Sequence, residues 1–170
     1  MIAFVGLGSN LGDRELTIQG AITEIGRVET TRVVKRSSLY ETDPISEISQ
    51  TAFINAVIQL ESELSAIEFL AGLQAIEKRY GRVREGFEAP RTLDLDLLCY
   101  GDQILRETGL TLPHPRLHVR KFVLVPLAEI APQWEHPVLK KTIQELLKEN
   151  TSTAEVKCLP YRYNQPRVEI

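Results

Sequence analysis

Residues 65–100, SAIEFLAGLQAIEKRYGRVREGFEAPRTLDLDLLCY, set a capped helix ahead of an alternating strand, and that order decides the fold class. Ser65 with Glu68 forms a capping-box signature, in which hydroxyl and carboxylate each cover an orphan backbone N–H of the helix start. Phe69, Leu70, Leu73, Ile76 and Tyr80 then recur at helical spacing as far as Gly81. From Leu93 the period changes to two. Leu93, Leu95, Leu97 and Cys99 fall on the core side of a strand, while Asp94 and Asp96 point together from its other side.

Outward from this unit, helices and strands continue to interleave. Ile2 to Leu7 reads as a buried strand, followed by a turn-rich GSNLGD segment and a helix that Asp13 caps, carrying Leu16, Ile18, Ile22 and Ile25. Val33 to Tyr40 is a second strand. Phe53 to Glu63 is a third, with Phe53 and Asn55 sharing a face. Gly101-Asp102 reads as a hairpin turn into residues 103–105, and Leu112-Pro113-His114-Pro115 as a rigid connection. Phe122 to Ile130 reads as a helix interrupted at Pro126, Thr142 with Glu145 caps a last helix, and Val156 to Leu159 a final strand. The pattern predicts an α+β sheet with helices packed on it. With no repeat or linker to divide them, residues 1–170 are expected to form one domain, residues 151–170 being a C-terminal extension of open role.

The 170 residues carry 20 basic and 23 acidic side chains, a net charge of −3, with 43% of residues hydrophobic. That composition fits one globular domain able to build a core without disulfides or structural metal. The N-terminal run shows no secretory leader and no stretch reaches membrane-spanning length, so a cytoplasmic protein with reduced Cys99 and Cys158 is expected. The slight acidity argues against a dedicated nucleic-acid binder. Cations nevertheless gather at Arg82, Arg84 and Arg91, and again over His114 to Lys121, which points to a small anionic ligand.

Two carboxylates on one strand face repel unless water screens them or a divalent cation sits between them. Asp94 and Asp96 suit Mg²⁺, which takes one or two carboxylates and completes its shell with water and substrate phosphates. A solvated strand face is the plainer alternative. Arg82, Arg84 and Arg91, just ahead of the pair, favour a polyphosphate carrying Mg²⁺. His114, held between two prolines near Arg120, suits a phosphate contact as well as a plain turn. Asn55 beside Phe53 suits a flat heterocycle with a polar edge. Gly6, Gly8 and Gly12 miss the dinucleotide-binding spacing, and P-loop, HExxH and GxSxG motifs do not occur.

Three segments taken together, GLGSNLGD from residue 6, PRTLDLDLL from residue 90 and LPHPRLHVRKFVLVPLAEIAP from residue 112, resemble the 6-hydroxymethyl-7,8-dihydropterin pyrophosphokinase family of folate biosynthesis. The resemblance runs from Ile2 to about Leu147. It implies a mainly antiparallel, ferredoxin-like α+β fold and transfer of the diphosphate of ATP to the pterin hydroxymethyl group, with release of AMP. By motif position, Asp94 and Asp96 are implied to hold two Mg²⁺ ions, and Arg82 and Arg91 to serve catalysis on the ATP phosphates. ATP binding is implied for Gln74, Glu77, Arg82, Arg84, Arg91, His114 and Arg120. Thr42, Ile45 and Asn55 are implied to read the pterin edge, the ring lying between Phe53 and Phe122. The family often has tyrosine where Phe53 stands, and Phe87 and Glu88 depart from its usual basic and aromatic pattern. A monomer acting on small molecules, with no nucleic acid and no membrane as partner, follows. Two other readings are a non-catalytic ferredoxin-like module that binds nucleotide or RNA, and a metal-dependent nuclease using Asp94 and Asp96.

Overall fold

The computed structural model describes residues 1–43, 52–81 and 92–160. Strand β1 (Ile2–Ser9) runs through the middle of the main sheet, where its nearly unbroken apolar run is covered on both faces. It is antiparallel to β4 (Phe53–Ser62) on one side and to β5 (Asp94–Tyr100) on the other. Beyond β4 lie β2 (Thr31–Arg36) and β3 (Tyr40–Thr42), which pair with opposite halves of it, Arg36 against Ile58 and Tyr40 against Asn55. The short β8 (Val156–Cys158) adds to the free side of β3. Among the described residues the order is therefore β5-β1-β4-β3-β8, with β2 also on β4.

Helices α1 (Arg14–Gly26) and α2 (Ala66–Arg79) each carry the chain over one intervening strand, making two interleaved split βαβ units. This is the expected ferredoxin-like arrangement. Ile18, Ala21 and Ile25 of α1 and Phe69, Leu73 and Ile76 of α2 pack with Val5, Leu7, Ile54, Ile58, Leu95 and Leu97 in one core. On the opposite face α3 (Lys121–Ile130) and α4 (Ile143–Glu149) bury Val123, Leu124, Leu127 and Leu146 against Phe4, Val57 and Leu98. Two helical layers thus enclose the sheet. The side chains of Asp13, Ser65 and Thr142 cap α1, α2 and α4 as their sequences predict.

Four expectations are corrected. The segment 33–40 is not one strand: β2 ends at Arg36, and Ser37 occupies the break, its backbone N–H donating to Val57 O and its Oγ accepting from Val57 N, both at 2.9 Å. Gly101-Asp102 does not join β5 to a paired strand. Instead β6 (Leu105–Glu107) pairs with β7 (Leu110–Leu112) as a separate ribbon, turning at Thr108-Gly109 with Gly109 at φ 84°. Helix α3 continues through Pro126, because the one bond that proline forgoes is directed to Phe122 in the first turn. Cys99 does not share a side with Leu97. A bulge pairs Val5 with Leu97 and Phe4 with Cys99, so Leu98 is the extra residue and the thiol turns toward α3 and α4. Burial there pushes the Cys99 thiol pKa well up.

Candidate active site

The site grows from one row of residues across the sheet. Gly8 of β1 stands opposite Asn55 of β4 and opposite Asp94 of β5, and Asn55 in turn stands opposite Tyr40 of β3. Residues directly opposite in a sheet share a face. One step along β1 on the same side, Gly6 stands opposite Val57 and Asp96. Both β1 positions between the carboxylates and the amide are glycine, so the floor there is bare backbone. A Cβ on Gly8 would lie 3.1 Å from Asn55 Oδ1, tighter than ordinary contact. The two glycines open a trough with Asp94 and Asp96 on one bank and Asn55 and Phe53 on the other.

Asn55 is buried, at 7% exposure, and its Nδ2 donates to Thr42 Oγ1 at 2.6 Å. The pairing of Tyr40 with Asn55 and Thr42 with Phe53 sets that contact, because it places Thr42 diagonally beside the amide. Phe53 is half-buried at the start of β4. From α1, Arg14 Nη1 donates to Ala52 O at 2.6 Å and lies 3.3 Å from Glu41 Oε2, fastening together the strand ends that carry Thr42 and Phe53.

On the other bank, Asp94 and Asp96 are half-buried and lie on one face as the sequence predicts. The N-cap of α3, Arg120, places Nη1 3.5 Å from Asp96 Oδ2 and its guanidinium 5.6 Å from the centre of the Phe122 ring. One cation thus links the acidic bank to an aromatic wall. His114 is brought alongside by its backbone N–H, which donates to Leu98 O at 2.8 Å. Its Nδ1 accepts from Arg116 N at 3.1 Å, which leaves Nε2 to carry the proton of a neutral ring, 3.9 Å from Asp96 Oδ1. Burial, with Arg120 close by, pushes the His114 pKa down to about 4 against the pull of Asp94, so the contact with Asp96 is not an ion pair near neutrality.

Glu77 and Gln74, three residues apart on α2, have different surroundings. Gln74 is exposed. Glu77 is buried, at 5% exposure, and its Oε2 accepts from Leu95 N at 3.1 Å. Among the described residues β5 is an edge strand, and Glu77 covers the N–H on its outer side, between the two aspartates. Ile45, Arg82, Arg84 and Arg91 lie outside the described residues. The glycine floor, Arg14 and the Tyr40 position were not singled out by sequence reasoning as parts of the site. The two glycines carried a readable signal, since positions 6 and 8 fall on one face of a strand.

Two oxygen donors beside an open trough form a donor set that fits Mg²⁺, and among the described residues no further His, Cys, Asp or Glu joins them in a cluster. Residues 4–132 match the family model described as 7,8-dihydro-6-hydroxymethylpterin-pyrophosphokinase. The chain belongs to that family. Among its relatives are the 2-amino-4-hydroxy-6-hydroxymethyldihydropteridine pyrophosphokinases of Synechocystis sp. and Haemophilus influenzae. The first is 45% identical over 89% of this chain and 77% of its own, the second 39% identical over 93% and 98%. The solved HPPK-DHPS of Plasmodium falciparum aligns with a TM-score of 0.68 at 15% identity, over 87% of this chain and 44% of that one, and shares the fold.

Proposed function

We propose that the chain transfers the diphosphate of ATP to the hydroxymethyl oxygen of 6-hydroxymethyl-7,8-dihydropterin, using the glycine-floored trough to hold both substrates. As a member of its family it is a pyrophosphokinase of folate biosynthesis, a diphosphotransferase with ATP as co-substrate. The observation that carries the assignment of residues is the shared row: Asp94 and Asn55 face each other across Gly8, so a metal-holding carboxylate and a heterocycle-reading amide flank one cleared space.

In this reading Asn55 and Thr42 present a donor and acceptor edge to the pterin, with Ile45 completing it, and the ring stacks between Phe53 and Phe122. Arg82, Arg84, Arg91, His114 and Arg120 hold phosphate oxygens of ATP, with Gln74 and Glu77 at the border of the nucleotide. Glu77 also holds β5 through Leu95 N. Asp94 and Asp96 would hold Mg²⁺, two ions in the full site, which would supply neutralisation of phosphate charge. The pterin oxygen bonds to the β-phosphorus and gives up its proton to solvent, while the bond from the β-phosphorus to the oxygen bridging it to the α-phosphorus breaks and AMP departs with that oxygen. Such a transfer asks for positioning and charge neutralisation more than for covalent help. Arg120 serves both needs, through its contacts with Asp96 and Phe122.

The proposal extends to residues 1–170 acting as one domain and one monomer on small molecules, without nucleic acid or membrane partners. No helix among the described residues is long and apolar enough to cross a membrane. Cys99 and Cys158 are free thiols, which suits the reducing cytoplasm. The test is incubation with ATP, Mg²⁺ and the hydroxymethyl dihydropterin. AMP and the pterin diphosphate are the expected products; ADP would refute diphosphate transfer.

A further inference from the structure

Glu129, in the last turn of α3, gathers the donors of the β2–β3 connection. Its Oε1 and Oε2 each accept from Ser38 N at 3.0 Å, Oε1 accepts from Ser38 Oγ at 2.8 Å, and Oε2 accepts from the Tyr40 hydroxyl. Burial and the carboxylate together push the Tyr40 pKa well up, which keeps the hydroxyl a donor. Tyr40 stands directly opposite Asn55 and two residues before Thr42, and the helix that carries Glu129 near its end carries Phe122 in its first turn.

We infer that Glu129 is a positioning residue for the pterin: by tying α3 to β3 it sets the spacing between the Phe122 wall and the bank formed by Thr42, Asn55 and Phe53. The inference rests on the pterin reading above. A flat ring held between two aromatic walls needs them about 7 Å apart, two contact distances of ~3.5 Å, and a gap of ~0.5–1 Å on one side forfeits a quarter to a half of that attraction. The apolar side of α3 packs on Phe4 and Val57 without a directional contact, whereas the bonds to one carboxylate have fixed directions and hold the end of the helix opposite to the one that Arg120 holds at Asp96. With Arg120 at the first turn, the tie therefore sets the wall's position along and about the helix axis, which hydrophobic packing leaves soft.

The test compares Glu129→Ala, Glu129→Gln and Tyr40→Phe with the parent chain by calorimetric titration. The pterin substrate is titrated in the presence of Mg²⁺ and a non-hydrolysable ATP analogue, and the analogue is titrated separately. Glu129→Ala is expected to weaken pterin binding about tenfold and leave nucleotide affinity within twofold. Glu129→Gln keeps an acceptor for Ser38 and lets the Tyr40 hydroxyl accept from the amide, so it is expected to stay within threefold of the parent chain. Tyr40→Phe is expected to lose about threefold and carries the test if the alanine variant does not fold. Unchanged pterin affinity in the alanine variant, or in Tyr40→Phe where that variant stands in, overturns the inference, as do equal losses for pterin and nucleotide. Asn55→Leu separates the two levels: if it weakens pterin binding while the Glu129 and Tyr40 variants do not, the tie alone falls. If Asn55→Leu has no effect, the pterin reading falls and takes the tie with it.

Discussion

Removing the carboxylate of Asp94 or Asp96 separates chemistry from folding, because both are half-buried at the rim of the trough rather than in a core. The contact of Asp96 with Arg120 is long, at 3.5 Å, and partly solvated, so losing it costs little stability, about 0–1 kcal/mol. Asp94→Ala and Asp96→Ala are each expected to lower turnover by on the order of 10²-fold or more while leaving the urea midpoint near that of the parent chain. Steady-state rates with titrated Mg²⁺, beside an unfolding curve, check both halves. The glycines offer a second contrast. Gly8→Ala places a methyl 3.1 Å from Asn55 Oδ1 and is expected to weaken pterin binding several-fold in a folded protein. Gly6→Ala meets Leu98 Cδ2 at 3.6 Å, an ordinary contact, so in the same titration any loss it causes reports crowding of the trough floor rather than of Asn55. The alternation of Asp94 and Asp96 was legible because a strand sorts neighbours by parity alone. The burial of Glu77 was not, because it depends on β5 being an edge strand with an uncovered N–H, which is a property of the whole sheet.

The starts of α2 and α4, set by their own residues, were read correctly from sequence. Ser65 with Glu68 and Thr142 with Glu145 form complete capping boxes, each satisfying two orphan N–H groups within four residues of chain. Ser65→Ala and Thr142→Ala should therefore each destabilise by about 1 kcal/mol, measurable as a lower denaturant midpoint at unchanged slope. Elements defined by a partner were not legible. The bulge that turns Cys99 exists because β1 and β5 differ by one residue in register, and neither strand's own pattern records the mismatch. The break at Ser37 likewise exists because its hydroxyl takes the Val57 N–H, a donor 20 residues away. The placement of β8 on β3 lies beyond any local signal, since only the assembled sheet shows which edge is open.

At the scale of the molecule, two helical layers pressed on one sheet bury a histidine, and that burial makes stability depend on pH. His136 is buried at 5% exposure, its Nδ1 accepting from Val138 N at 3.2 Å and Leu139 N at 3.1 Å. Burial, then the nearby His118, hold its pKa below the ordinary value. The folded state therefore binds fewer protons than the unfolded state as pH drops, so this contribution is complete above about pH 6.5 and is lost as pH falls toward the depressed folded pKa. His114, pushed down to about 4, adds to the same slope. Urea midpoints should fall between about pH 8 and pH 5.5, and His136→Gln should flatten that fall; an equally steep profile in the variant would assign the dependence elsewhere. The bare floor of the trough has a consequence for inhibition. Resistance to an inhibitor usually arises when a side chain it touches is exchanged, but at Gly8 the surface on offer is main chain, and an added Cβ would crowd Asn55, an amide assigned to the pterin. A compound that takes most of its contact from that stretch of peptide backbone leaves the target few single replacements that exclude the drug and still admit the natural substrate.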